Sequence, residues 1–176
     1  SVSEMTIGEL AAFVCSHLKK NGIDVVLSGG ACVSIYTTNK HESYDLDFIE
    51  NITSSRKRLK DVLLEIGFFE DHRYFKNPDT EFFLEFPLGP LSIGSEPVKE
   101  IIEKIFPEGP LKLISPTDCI KDRLAAYYHW NDRQCLEQAI LVAQEHEIDL
   151  DDIERWSTKE GKLLEFANIR SGLIKA

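Results

Sequence analysis

Leu27-Ser28-Gly29-Gly30 and, further along, Ser43-Tyr44-Asp45-Leu46-Asp47-Phe48 are the two stretches from which the rest of the chain is read. The first ends the apolar run Val25-Val26-Leu27 at two glycines and passes into Ala31-Cys32-Val33-Ser34-Ile35-Tyr36, the pattern of strand, tight turn and helix. In the second, Asp45 and Asp47 alternate with Leu46 and Phe48. Side chains two apart share a face of a strand, so both carboxylates point one way while Leu46 and Phe48 point the other, into a core. Two like charges side by side repel each other, and a divalent cation removes that repulsion. The chemistry is therefore placed at this pair.

Outward from there, Thr6-Ile7-Gly8-Glu9 has the form of a capping box, and Leu10, Phe13, Val14 and Leu18 give the helix that follows one apolar face. Residues 23–27 read as a buried strand and 43–50 as the second strand. A helix over about 55–66 turns Leu59, Val62, Leu63 and Ile66 inward. Phe68-Phe69 and Arg73-Tyr74-Phe75 read as strand, Asn77-Pro78-Asp79 as a turn, and 80–86 as a strand that returns beside it. On that last strand Glu81, Phe83 and Glu85 share one face. Residues 91–93 suit a short strand, 98–106 a short helix and 111–114 a strand. Ser115-Pro116-Thr117-Asp118 is a helix start, with a hydroxyl at the cap, Pro in the first turn and an acid after it. Helices are expected to about Trp130, over 134–145, and over 149–156 and 159–169. The fold class expected is α/β (α+β): a small mixed sheet with flanking helices over 1–114, then a C-terminal helical region over 115–176 packed on that core.

With 176 residues and 43% hydrophobic content, the chain is long enough for one sizeable core. Its 30 acidic and 20 basic residues give a net charge of -10, which argues against coating nucleic acid by overall charge. Basic residues concentrate at Arg56-Lys57-Arg58 and Lys60, the pattern of a solvated helix face. Cys15, Cys32, Cys119 and Cys135 form no C-x-x-C pair, which argues against zinc and for small core residues. His41, His72, His129 and His146 show no ligand spacing, and Tyr127-Tyr128-His129-Trp130 reads as core. No apolar run approaches ~18 residues, so no membrane segment is expected and a reduced, cytoplasmic setting is.

Two glycines between strand and helix, then Asp45-Leu46-Asp47 on the next strand, resemble the polymerase-beta-like nucleotidyltransferases. The stretch 25–50 is similar to small bacterial and archaeal members, including the toxin-like nucleotidyltransferases of abortive-infection and toxin–antitoxin systems. In these, as here, Ala31 follows the glycines, a Tyr stands near Tyr36, and a hydroxyl residue (Ser43) precedes the first Asp by two. Ser115-Pro116-Thr117-Asp118, with Arg123-Leu124-Ala125-Ala126 after it, also looks like theirs, and the resemblance spans roughly residues 20–140. It implies the nucleotidyltransferase fold and the transfer of a nucleoside monophosphate from a nucleoside triphosphate to a hydroxyl, with two Mg²⁺ ions ~3.5–4 Å apart stabilising attacking and leaving oxygens. It also implies that Asp45 and Asp47 hold metal, and that a third acid on a neighbouring strand, Glu85 with Glu81 as the alternative, binds the catalytic metal and activates the acceptor. Gly29, Gly30 and Ser43 would hold phosphates, with a lesser role for Ser34, and Arg123 stands where the family often has a triphosphate-facing Lys. The acceptor implied is an RNA 3′ end, a protein hydroxyl or a small molecule, with an antitoxin or other protein as partner.

The resemblance departs at Asp132-Arg133-Gln134-Cys135-Leu136-Glu137-Gln138-Ala139, where the family often reads D-R-K-D-L-E-D-A: Gln134, Cys135 and Gln138 replace a Lys and two acids. That opens a second reading, a nucleotidyltransferase-fold protein that binds nucleotide or a protein partner without catalysis. A third is an ordinary α/β protein whose acids are a solvated strand edge. An RNA acceptor would have to rely on the patch at Arg56 to Lys60.

Overall fold

The structure, a computed structural model, describes residues 1–175. After a 3₁₀ turn at Val2–Glu4, helix α1 (Ile7–Lys20) opens on the Thr6 capping box: Thr6 Oγ1 accepts from the Glu9 amide and Glu9 returns the bond to the Thr6 amide. Strand β1 (Val25–Ser28) leads through Gly29 into α2 (Gly30–Tyr36), then β2 (Asp45–Glu50) and α3 (Arg56–Leu64). Short strands β3 (Phe69–Asp71), β4 (Tyr74–Lys76) and β5 (Phe83–Glu85) follow. A small hairpin of β6 (Ser92–Ile93) and β7 (Glu96–Pro97) precedes the hairpin of β8 (Ile101–Phe106) and β9 (Gly109–Ile114). The chain ends in α4 (Pro116–Trp130), α5 (Arg133–Glu145), α6 (Leu150–Lys159), α7 (Leu163–Ile169) and a 3₁₀ turn.

Seven strands form one mixed sheet in the order β3-β4-β5-β2-β1-β9-β8. β1 runs antiparallel to β2 and parallel to β9, and β2 runs parallel to β5. Leu27, Phe48, Leu46, Leu84 and Phe75 share the face that packs into the core with Leu10, Val14, Leu18, Leu59 and Leu63. In place of the helix expected over 98–106 stands strand β8, from Ile101 onward. Val98, Ile101, Ile102, Ile105 and Phe106 recur at helical spacing, but three of these are Ile and a Pro107-Glu108-Gly109 turn follows, so the segment pairs with β9 from Ile101↔Ile114 to Phe106↔Gly109.

The helices after residue 115 join the sheet through polar as well as apolar contacts. Trp156 is fully buried, stacks on Tyr128 at 5.9 Å and donates its indole N–H to the Ile93 carbonyl. Lys121, only 2% exposed, pairs with Asp152 at 2.5 Å. Arg155 extends the network with paired bonds to Glu96 at 2.7 and 2.9 Å, clamping the β6–β7 hairpin to α6. Of the aromatic run read as core, Tyr128 is buried but Trp130 is 82% exposed, at the end of α4 where Asn131 turns left-handed. All four cysteines are free and buried. Among the described residues no helix is long and apolar enough to cross a membrane.

Candidate active site

Register assembles the site. Asp47 sits opposite Ser28 on β1 and Glu85 on β5, and Asp45 sits opposite Phe83. Opposed residues share a face, so Asp45, Asp47 and Glu85 rise from one face of the sheet, with one carboxylate oxygen from each lying within 4.8 Å of the other two. Glu81, the alternative third acid, lies before β5, is exposed, and is not in this cluster.

The cluster carries unspent acceptor capacity. Asp47 Oδ1 is buried with no hydrogen-bond partner. Burial first, then Asp45, Glu85 and Asp122 nearby, push the Asp47 carboxyl up to about 7, with Arg123 acting weakly the other way. A buried carboxylate oxygen without a donor is unfavourable by itself. Three converging carboxylates with one such oxygen are the hard-oxygen set that suits Mg²⁺. The residues present fit a divalent cation.

Around the acids, Gly29 has φ 71° and ψ −157°, and a Cβ built there would stand 2.6 Å from Asp47 Oδ2. Only glycine accommodates both constraints. At Gly30 a Cβ would meet Ser43 Oγ at 3.4 Å and His41 Nε2 at 3.6 Å. Ser43 Oγ lies 3.2 Å from the Asp45 carbonyl and 3.3 Å from Asp45 Oδ1, so its hydroxyl orients the first acid. Ser34, expected to help cradle phosphate, is almost fully buried and donates to the His41 carbonyl at 2.6 Å; it ties the 37–44 loop to α2 instead.

A cleft of about 340 Å³ opens beside Asp47, lined by Ser28 and Gly29, by Pro87, Leu88 and Leu91 after β5, and by Asp122 and Arg123 of α4. Arg123 Nε and Nη2 donate to Asp122 Oδ2 at 2.9 and 2.5 Å, and Nη1 donates to Gln138 Oε1 at 3.3 Å. Cys135 Sγ lies 3.7 Å from the same Nη1. Two of the three positions at which α5 departs from the family pattern therefore touch the site's cation. Asp122, which no sequence motif marks, and His41, which shows no ligand spacing in the sequence, belong to this neighbourhood. Asp122 stands beside Arg123 in the chain, and adjacent helical residues do not face one another; only the bend of the guanidinium joins them.

The basic patch lies elsewhere. Arg56 donates to Glu70 Oε2 at 2.8 Å and its guanidinium lies 4.5 Å over the Phe75 ring. Glu70, Phe75 and Leu84 are opposed across β3, β4 and β5 on the face away from the carboxylates. On the carboxylate side, Arg73 Nε is 3.4 Å from Glu85 Oε1.

No protein-family model matches this chain, and no curated protein matches it. Solved structures do. A nucleotidyltransferase-like antigenic protein from Paracoccidioides brasiliensis superposes with a TM-score of 0.65 at 15% identity, over 96% of this chain and 94% of that one. The antibiotic-resistance factor ANT(2'')-Ia in solution gives 0.55 at 12% identity, over 92% of this chain and 96% of that one. Its crystal complex with adenylyl-2''-tobramycin gives 0.57 at 12% identity, over 88% and 96%. The chain has the fold of these nucleotidyltransferase-like proteins.

Proposed function

We propose that this chain is a Mg²⁺-dependent nucleotidyltransferase that moves a nucleoside monophosphate from a nucleoside triphosphate to a hydroxyl acceptor. The observation that carries the reading is the buried, unpartnered Asp47 oxygen within the cluster of Asp45, Asp47 and Glu85. These three acids would hold Mg²⁺, which when bound supplies positive charge against the triphosphate and the reacting oxygens. The chain's own groups do the rest. Gly29 and Gly30 let the backbone close on phosphate beside Asp47 without a side chain in the way. Ser43 holds the Asp45 carboxylate in its orientation. Arg123 places a fixed cation on the cleft wall, and Asp122 and Gln138 aim its guanidinium. Leu88, Pro87 and Leu91 offer an apolar wall to the nucleobase. Glu85, with Arg73 beside it, accepts the acceptor's proton on a carboxylate oxygen.

The finer parts of the proposal rest on sequence resemblance. Stretch 25–50 and the Ser115 to Ala126 segment support the small toxin-like group, cytoplasmic, with a neutralising protein partner. The core of 1–114 and the helical region of 115–176 would act together, since Asp122 and Arg123 reach the cleft from α4.

A second reading has its own observation. Arg123 is already bound by Asp122 and Gln138, and the acids of the family's helix are absent at Cys135 and Gln138. A protein so arranged would bind nucleotide without transferring it. The test is pyrophosphate release from each of the four ribonucleoside triphosphates with Mg²⁺, using a cell extract as acceptor source. Release that disappears in Asp45→Ala/Asp47→Ala supports transfer. Mg²⁺-dependent triphosphate binding with no release supports the binding protein.

A further inference from the structure

The sheet face that carries the acids has two halves. Over β1 and β2, Asp122 and Arg123 of α4 and Ile93 of β6 line the cleft at Asp47. Over β5, β4 and β3 a second cavity of about 450 Å³ lies along the sheet, lined by Phe69, Asp71, Lys76, Glu81, Phe82 and Phe83 among others. Register ties this groove to the acids: Asp45 is opposed by Phe83, Phe83 by Lys76 and Lys76 by Phe69, all on one face. Asp45 is therefore the next residue across the sheet from the Phe83 ring. The cleft takes in Asp47 and the groove takes in Phe83, the partner of Asp45 on the next strand, so two separate spaces serve neighbouring acids.

The groove's chemistry narrows what it takes. Phe69 is 53% exposed although it sits within a strand. Phe83 is half-buried and is backed edge-on by Tyr74 at 5.0 Å, which holds its ring upright. The rim charges are spent on each other: Lys76 pairs with Asp71 at 3.0 Å and Arg73 with Glu85 at 3.4 Å. These pairings leave no free cation along the rim for a polyanion. Glu81 stands at the mouth as a carboxylate acceptor for a hydroxyl. The volume is that of a small-molecule site, and exposed aromatic rings favour stacking partners.

Resting on the transferase reading above, we propose that this groove is the acceptor subsite and that the acceptor is an uncharged, ring-bearing small molecule whose hydroxyl is presented to Asp45 and Glu85. Phe69 and Phe83 stack on its ring; Glu81 accepts from a second hydroxyl.

The test uses the full chain and two neutral probes, adenosine and p-nitrophenyl β-glucoside. A polycationic aminoglycoside and a short oligoribonucleotide stand as rivals. Binding is read by saturation-transfer NMR and transfer by label from α-³²P triphosphates. Both neutral probes are expected to bind wild type, with and without Mg²⁺. Phe69→Ser and the volume-keeping Phe83→Leu should each weaken that binding about tenfold, the scale of one aromatic pair, while Mg²⁺-triphosphate affinity stays unchanged. Neutral probes that bind no better than glucose, or that ignore both substitutions, would overturn the groove assignment and leave the transferase reading standing if Mg²⁺-triphosphate binding persists. Preferential labelling of the aminoglycoside or the oligonucleotide overturns it equally. Loss of Mg²⁺-triphosphate binding in wild type itself would instead overturn the transferase reading, and the acceptor role with it.

Discussion

A Cβ built on Gly29 would stand 2.6 Å from Asp47 Oδ2, so the turn after β1 leaves no room for a side chain beside the central carboxylate. Gly29→Ala must strain φ from 71° or move Asp47. It is expected to cost about 1–3 kcal/mol of stability, the range for a non-glycine residue held in such a region. It should also lose Mg²⁺-dependent triphosphate binding. Urea unfolding and calorimetric titration check the two effects separately.

Asp47 is an acid whose folded-state pKa is raised, from 3.8 to about 7, chiefly by burial and then by Asp45 and Glu85. Between those values the folded protein holds more protons than the unfolded chain. Its contribution to stability is therefore retained below pH ~3.8 and lost as pH rises through about 7. Asp47→Asn keeps the shape and removes the charge. In metal-free buffer it should be more stable than wild type at pH 8, with the gap closing towards pH 4. Thermal melts at several pH values in chelator read this directly, and a variant less stable than wild type at pH 8 would contradict it.

Triphosphate binding should be coupled to cation. The cleft sets Asp47 and Asp122 against Arg123, and Asp122 already engages the guanidinium. Triphosphate alone is expected to shift the melting temperature little. Triphosphate with Mg²⁺ at about 100 times its Kd should add about 2.7 kcal/mol. An equal shift in chelator would show that the acids do not hold the ion.

Arg123 supplies a planar fork that Lys cannot copy. Arg123→Lys should keep the fold and weaken triphosphate binding, since one ammonium cannot serve Asp122, Gln138 and a phosphate together. Arg123→Met leaves Asp122 unpaired in a partly buried place, and is expected to destabilise by about 1–3 kcal/mol, the cost of an unsatisfied buried group. Chemical denaturation and nucleotide titration of both variants check this.

The clamp of α6 on the β6–β7 hairpin gives an acid limb. Hydrogen bonds from Arg155 first, then Lys159, hold Glu96 down from 4.5 to about 2. A depressed acid contributes stability that is complete above its unfolded pKa and is lost as pH falls through the folded one. Glu96→Gln should therefore be less stable than wild type at pH 6, and its stability should fall less steeply between pH 4.5 and 2.

Much of the fold was legible because local chemistry and tertiary structure agree. Thr6 and Glu9 cap α1 and Ser115 caps α4 as read. The alternation of Asp45 to Phe48 and the two glycines sufficed to place β1, α2 and β2. The segment 98–106 has apolar spacing that fits a helix, while its isoleucines and the Pro107-Glu108-Gly109 turn serve a hairpin, so spacing alone points the wrong way there. The convergence of Glu85 on Asp47 was legible only as a choice between acids of one face; the register that favours Glu85 over Glu81 depends on where β5 begins. The role of Asp122, the remoteness of the Arg56 patch and the open groove at Phe69 and Phe83 were not legible at all. Each depends on which strands neighbour one another across the sheet, or on how a side chain bends, and no short-range pattern records either.

The central claim is that Asp45, Asp47 and Glu85 perform nucleotidyl transfer. It is tested most directly by incubating wild type and folded Asp45→Ala/Asp47→Ala with each α-³²P ribonucleoside triphosphate and Mg²⁺, in the presence of total RNA, total protein and a small-molecule extract. Label transferred by wild type to one of these fractions, and absent with the double variant, is the result predicted. Label transferred equally by both proteins, or no label from folded wild type with any triphosphate and any fraction, would contradict it.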